Sequence, residues 1–179
     1  MKTLTTNLLL TLILFLSMGN NAFARNHILV NDTIESIIGI QNLEYSYKFA
    51  DHWTIGVNVT SPNHAKNNNI ELNGSSFGGI TRYYFKPAYQ DDSWYLMAAA
   101  NKSNYEASIA SNGTRYTGKG EDSIVAGGGY HWFWDNFNMI VGASISSQSK
   151  ITLKDAAGNK YKDEFNPNLV FEIKMGGSF

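Results

Sequence analysis

The sequence predicts an all-β fold: a closed, antiparallel up-and-down transmembrane β-barrel, eight strands being the natural total, preceded by a cleaved signal peptide. Three observations predict it. Apolar and polar residues alternate with period two along most of the chain after residue 25, the pattern of strands with one apolar and one polar face. No stretch after residue 25 is apolar over the length a membrane helix needs, about 20 residues. The closing run, Leu169 to Phe179, keeps the alternation to its final aromatic ring.

The N-terminus is set apart from the fold. Lys2 supplies a positive start, Leu8 to Met18 is a nearly unbroken apolar run, and Ala22-Phe23-Ala24 matches a small-x-small cleavage site. Residues 1–24 are therefore expected to be a signal peptide and residues 25–179 the barrel domain. About 155 residues remain, enough for one domain. The exported chain contains no cysteine, so disulfides cannot stabilise it. A barrel in lipid does not need them, because every strand is paired. Without Lys2, the 14 basic and 15 acidic residues leave a net charge near −2, which gives no sign of nucleic-acid binding.

The strands follow in order. Leu43, Tyr45, Tyr47 and Phe49 alternate with Asn42, Glu44, Ser46 and Lys48. A turn at Ala50-Asp51-His52 leads to Trp53, Ile55, Val57 and Val59. Beyond an asparagine-rich loop, Phe77 to Phe85 places Arg82 on the polar face, and after Pro87–Ser93 the run Trp94, Leu96, Ala98, Ala100 continues the pattern. Ser111-Asn112-Gly113-Thr114 is a turn signal. Ile124 to Trp134 carries His131 on its inner face, Asp135-Asn136 turns tightly into Phe137 to Ile145, and Leu169 to Phe179 closes the series. These make seven strands. The eighth lies within His27 to Ile40, where His27-Ile28-Leu29-Val30 and the run from Ile34 to Ile40 compete. Residues 63–76, 106–119 and 155–162 read as polar loops.

With the C-terminus on the periplasmic side, the turns near 50–52, 87–93 and 135–136 share that side. Tyr47, Phe49, Trp53, Tyr83, Phe85, Trp94, Trp132, Trp134, Phe137 and Phe179 then gather at one end, as in an interfacial girdle. Alternation alone also permits a soluble barrel with its apolar face inward. Strands of about ten residues and a polar face rich in glycine, serine, asparagine and charge favour the membrane version.

Glu44, Arg82, Glu172 and Lys174 all fall on polar faces. An eight-stranded barrel is only wide enough for its own side chains, and an isolated buried charge is very costly. These four are expected to pair as a charge network that plugs the lumen. His27, His52, His64 and His131 have no metal-ligand spacing, and no cofactor is expected.

The closing strand resembles the recognition signal of bacterial outer-membrane proteins: Phe171, Ile173, Met175 and Phe179 fit it, whereas Gly177 departs from the preference for a bulkier residue. The runs Asn42–Tyr45 with Asp51–Gly56, Ile80–Phe85 and Gly127–Tyr130 are similar to strands of small OmpA/OmpW-like and opacity-type barrels. The resemblance implies residence in the outer membrane, lipid as surroundings, and the barrel-assembly machinery as a partner reading the last strand. The motifs mark the architecture and specify no activity; a monomer with a non-enzymatic structural or surface role is expected, and an OmpW-like narrow channel for small solutes is the alternative. Barrel enzymes that modify lipid A fit less well: Asp122-Ser123 and His64 are the only counterparts of the palmitoyltransferase set, and His131 is followed by Trp132-Phe133 where the deacylases show His-x-Ser. No external ligand is identified by any loop.

Overall fold

Alternation fixes which side chains can face together, and the strand register shows that they do. The computed structural model describes residues 25–37, 40–62, 65–67, 70–104, 106–111, 114–147, 153–160 and 169–179; residues 1–24, assigned to the signal peptide, lie outside these. In chain order come β1 (His27–Asp32), the short helix α1 (Thr33–Ile37), β2 (Ile40–Ala50) and β3 (Trp53–Pro62). There follow β4 (Ala65–Asn67), β5 (Ile70–Asn73), β6 (Ser76–Tyr84) and β7 (Ser93–Ser103). The remainder are β8 (Glu106–Ser111), β9 (Thr114–Lys119), β10 (Ser123–Trp134), β11 (Phe137–Ser146) and β12 (Leu169–Ser178).

Eight of these close into a barrel in the order β1-β12-β11-β10-β7-β6-β3-β2, and each neighbouring pair is antiparallel. Closure gives each of the eight strands a partner on both sides. The turns at residues 51–52, 85–92 and 135–136 lie at the end that also holds Phe179, here called the lower end. Asp135 takes a left-handed φ of 49° in its two-residue turn, a conformation that aspartate tolerates.

Most apolar side chains point out, and most polar ones point in. Val57 is 57% exposed, Leu96 56%, Ile124 67% and Phe171 63%, whereas Glu44, Arg82 and His131 are each 1% exposed. That distribution puts the charged residues singled out in the sequence inside and a band of apolar residues outside. Around the lower end the outward aromatics pack on one another: Trp53 on Tyr83 at 5.1 Å between ring centroids, Trp94 on Tyr130 at 5.1 Å and Tyr130 on Trp132 at 4.6 Å.

The first strand is His27–Asp32; of the competing run, Ile34–Ile37 lie in α1 and Ile40 opens β2. Asp32 decides this locally. Its Oδ1 accepts the Glu35 backbone N–H at 3.0 Å, and its carbonyl accepts the Ser36 hydroxyl at 2.6 Å. An aspartate cap of this kind satisfies the free amides of a helix start and so ends the strand. β1 is consequently short. Its last partners are Lys174 on β12 and Leu43 on β2, so the upper parts of both neighbours run on without it. There α1 packs against β12 and β2.

The stretches expected to be polar loops are partly strands. β4, β5, β8 and β9 form a second sheet in that order at the upper end. Glu106–Ser111 and Thr114–Lys119 straddle Asn112-Gly113, so the turn signal in the sequence belongs to a hairpin with short alternating arms. Ala107, Ile109 and Leu153 are buried there, which gives the sheet its own apolar contact. Thr117 also bridges to Lys154, just before the segment expected to be the third loop, and Lys154 bridges to Lys160 within it.

Gly176 faces inward where β12 meets β1, and a Cβ at this position would press on the Leu29 carbonyl oxygen and Val30 Cα. Gly79 faces outward, and a Cβ there would find its nearest atom at 4.0 Å. Gly176→Val should therefore abolish the compact folded form on unheated SDS gels, and Gly79→Ala should leave it intact. Equal folding of the two variants would contradict the β1–β12 register.

Candidate functional site

The polar-face residues singled out in the sequence converge across the lumen. Glu44 comes from β2, Arg82 from β6, and Glu172 and Lys174 from β12; strand parity alone turns all four inward. Glu44 is the hub. Its carboxylate accepts from both terminal nitrogens of Arg82, Nη1 to Oε1 and Nη2 to Oε2 at 2.9 Å. It also accepts from Lys174 Nζ at 3.0 Å and from the Ser46 hydroxyl at 2.8 Å. Lys174 Nζ lies 2.7 Å from Glu172 Oε2, and the Tyr95 hydroxyl donates to Glu172 Oε1 at 2.8 Å. The Arg82 guanidinium carbon sits 5.3 Å from the centre of the Tyr95 ring, within cation–π range.

The cluster holds two carboxylates and two cations, so its formal charge is zero. That balance is what makes burial tolerable. An unpaired ion out of water costs several kcal/mol, even after relaxation, whereas a bidentate arginine–carboxylate pair combines charge and direction. One atom escapes the accounting: Arg82 Nε is buried without a hydrogen-bond partner.

A second layer lies towards the lower end, and most of it was missed in the sequence. The Tyr84 hydroxyl meets His131 Nδ1 at 3.0 Å, and His131 Nε2 meets Asn138 Oδ1 at 3.1 Å. Tyr89 folds inward from the turn between β6 and β7 at a φ of 64°. Its ring packs on Tyr84 at 6.1 Å and Phe133 at 6.0 Å. A bulky residue in left-handed backbone is uncommon, and here the burial of the ring holds it. Burial also pushes the Tyr89 phenol well above its ordinary pKa, so it stays neutral. Tyr84, Ala88, Tyr89, Tyr95, Ile28, Val30 and Ile140 form one buried cluster. The only signal in the sequence was an apolar pair, Ala88-Tyr89, inside an otherwise polar turn.

The residues of the closing strand have a different setting. Phe171, Ile173, Met175 and Phe179 lie on the outward face of β12 or just past its end. Phe179 exchanges backbone hydrogen bonds with His27 at 3.0 and 2.9 Å. The His27 ring stacks on that of Phe179 at 5.5 Å, and its Nδ1 meets the Tyr45 hydroxyl at 2.7 Å. The first and last strands are thus latched at their ends by rings as well as by backbone.

Two of the catalytic counterparts weighed in the sequence, Asp122 and Ser123, lie among the described residues. Asp122 Oδ1 accepts the Ser103 backbone N–H at 3.0 Å, and Ser123 faces inward and is buried. His64 lies outside the described residues. His52 Nδ1 bonds the Tyr84 carbonyl oxygen at 2.8 Å, far along the chain from His27 and His131 in their own contacts. Among the described residues no group of three or more histidine, cysteine or acidic side chains is placed to hold a metal, and no helix is long and apolar enough to cross a membrane. No family model, curated protein or solved structure matches the chain.

The hub predicts an ordering of stabilities. Arg82→Met leaves Glu44 with one cation too few, and breaking a buried pair from one side costs about 3–5 kcal/mol. Thermal unfolding in detergent should then fall by on the order of 10 °C. Adding Glu44→Gln restores neutrality, since Lys174 retains Glu172. The double variant should be more stable than Arg82→Met alone, and a simple sum of the two losses would show that the charges do not depend on one another.

Proposed function

We propose that the protein is a non-enzymatic outer-membrane barrel with a structural or surface role, its lumen closed by its own side chains. The observation that carries this reading is the pairing of a continuous outward apolar belt with a plugged interior. Exposed apolar patches far smaller than this belt mark contact with membranes or partners, and a closed barrel is the form in which strands can reside in lipid. The outward aromatics at the lower end suit the headgroup level of a bilayer. Inside, Glu44, Arg82, Glu172 and Lys174 are committed to one another, which leaves none of them for acid–base chemistry on a substrate. The resemblance to small OmpA/OmpW-like barrels supports the same class, with the closing strand offered to the assembly machinery and the barrel acting as a monomer.

A second reading, a narrow conduit for small solutes, is favoured by one observation. β1 stops at the level of Lys174, and above it the short helix α1, packed against β2 and β12, stands in place of a continued strand. A solute entering from the upper end could leave sideways there without crossing the Glu44 cluster.

Two measurements separate these readings. The protein in detergent-extracted membranes should run as a compact band before boiling and as a slower one after it, in the outer-membrane fraction. A soluble periplasmic band would overturn the class. Reconstituted into planar bilayers and vesicles, a plugged structural barrel gives no conductance steps and no solute uptake; either one would favour the conduit.

A further inference from the structure

The second sheet carries an arrangement of charge that folding does not explain. Arg115, Thr117 and Lys119 alternate along β9, and all three are exposed. Thr117 and Lys154 are directly opposed, joined by backbone bonds of 2.8 and 2.9 Å. Lys154 is in turn directly opposed to Lys160. Opposed residues of an antiparallel pair point to the same face, so Arg115, Lys119, Lys154 and Lys160 share one exposed face. Ala107, Ile109 and Leu153 are buried in this same part of the fold.

Acids account for only part of this charge: by register Glu71, opposite Ser108 and so on the face of Thr117, and Glu106 share that face. Glu106 stands opposite Lys119 and offsets it. Asp155, beside Lys154, turns its carboxylate back into its own turn, where it accepts from the Ala157 N–H at 2.9 Å, the Asn159 N–H at 2.8 Å and the Asn159 side-chain amide at 2.9 Å. Among the described residues no acid forms an ion pair with Arg115, Lys154 or Lys160. Arg115 Nη2 donates to the Ser108 hydroxyl at 3.4 Å. Like charges directly opposed across a strand pair are destabilising. Lys154 facing Lys160 is therefore an unfavourable pairing as it stands, and an anion between them would turn the repulsion into a clamp.

We propose that this face binds phosphate groups carried by the glycolipid of the surrounding outer leaflet, with Lys154 and Lys160 gripping the phosphate and Arg115 beside them. The inference rests on the outer-membrane reading above. On that reading the sheet stands just beyond the upper margin of the apolar belt, at Val59, Phe77, Ile124 and Ile145, where the first anionic groups met are lipid headgroups. Lysine serves phosphate as a compact point charge, and arginine adds a planar fork matched to its oxygens.

The test uses the full refolded protein in detergent, titrated with lipid A bearing its phosphates and with lipid A stripped of them. Lys154→Gln and Lys160→Gln should each weaken binding of the phosphorylated form about fivefold, and together about 25-fold, with weaker binding at higher salt. Lys86→Gln, which removes the same charge from the lower end, should change nothing. Equal binding by the double variant and the wild type would overturn the proposal, as would equal binding of the stripped lipid. Inorganic polyphosphate bound as tightly as lipid A would overturn the assignment to a lipid. All variants should keep the heat-modifiable band, so loss of binding is separable from failure of the barrel reading, which that band tests alone.

Discussion

Eight strands closed with their apolar side chains outward enclose a polar interior too narrow for bulk water, and the rest of the structure answers to that constraint. Charges inside cannot be solvated, so they must cancel. Glu44 makes this work because one carboxylate serves Arg82, Lys174 and Ser46 together, and Glu172 takes the remaining valence of Lys174. The ligands of the hub come from β2, β6 and β12, which are not neighbours in the sheet. The cluster therefore ties opposite walls of the barrel together and fixes its cross-section, work that no backbone ladder between adjacent strands can do.

The two ends of the barrel are finished differently. Below the ion cluster, Tyr84, Tyr89, His131 and Phe133 fill the lumen with rings, and the strained backbone at Tyr89 is held by the burial of its side chain. Above it, the chain leaves the barrel to build a second sheet. The discontinuity in the wall lies where β1 ends, and it follows from Asp32 capping α1 in place of a further ladder pair. The latch of Phe179 on His27 closes the same seam lower down. A single seam thus joins the firmest and the least paired parts of the wall.

Much of this was legible in the sequence because strand parity is a strict rule. Once Leu43, Tyr45 and Tyr47 were outward, Glu44 had to be inward, and the same step placed Arg82, Glu172 and Lys174. Parity says nothing about distance along the barrel axis, so their meeting at one level required the register. The first strand stayed ambiguous because Ile34 and Ile37 are as apolar as Ile28 and Val30; the deciding feature was a polar cap at Asp32, a local hydrogen bond with no periodic signature. The upper sheet was obscured for a related reason. Its arms are only three to six residues long, too short for alternation to stand out, and composition made them look like loop. Tyr89 was hidden because turns are expected to be polar and outward, and an apolar pair such as Ala88-Tyr89 does not by itself say that a turn folds back into the lumen.

The chain has four tryptophans, Trp53, Trp94, Trp132 and Trp134, and all lie on the outward face at the lower end. Their fluorescence therefore reports directly on what surrounds the barrel wall. In vesicles containing lipids brominated near the headgroup, strong quenching with little quenching by aqueous iodide is the result that an apolar wall facing lipid predicts. Quenching by iodide but not by brominated lipid would contradict it.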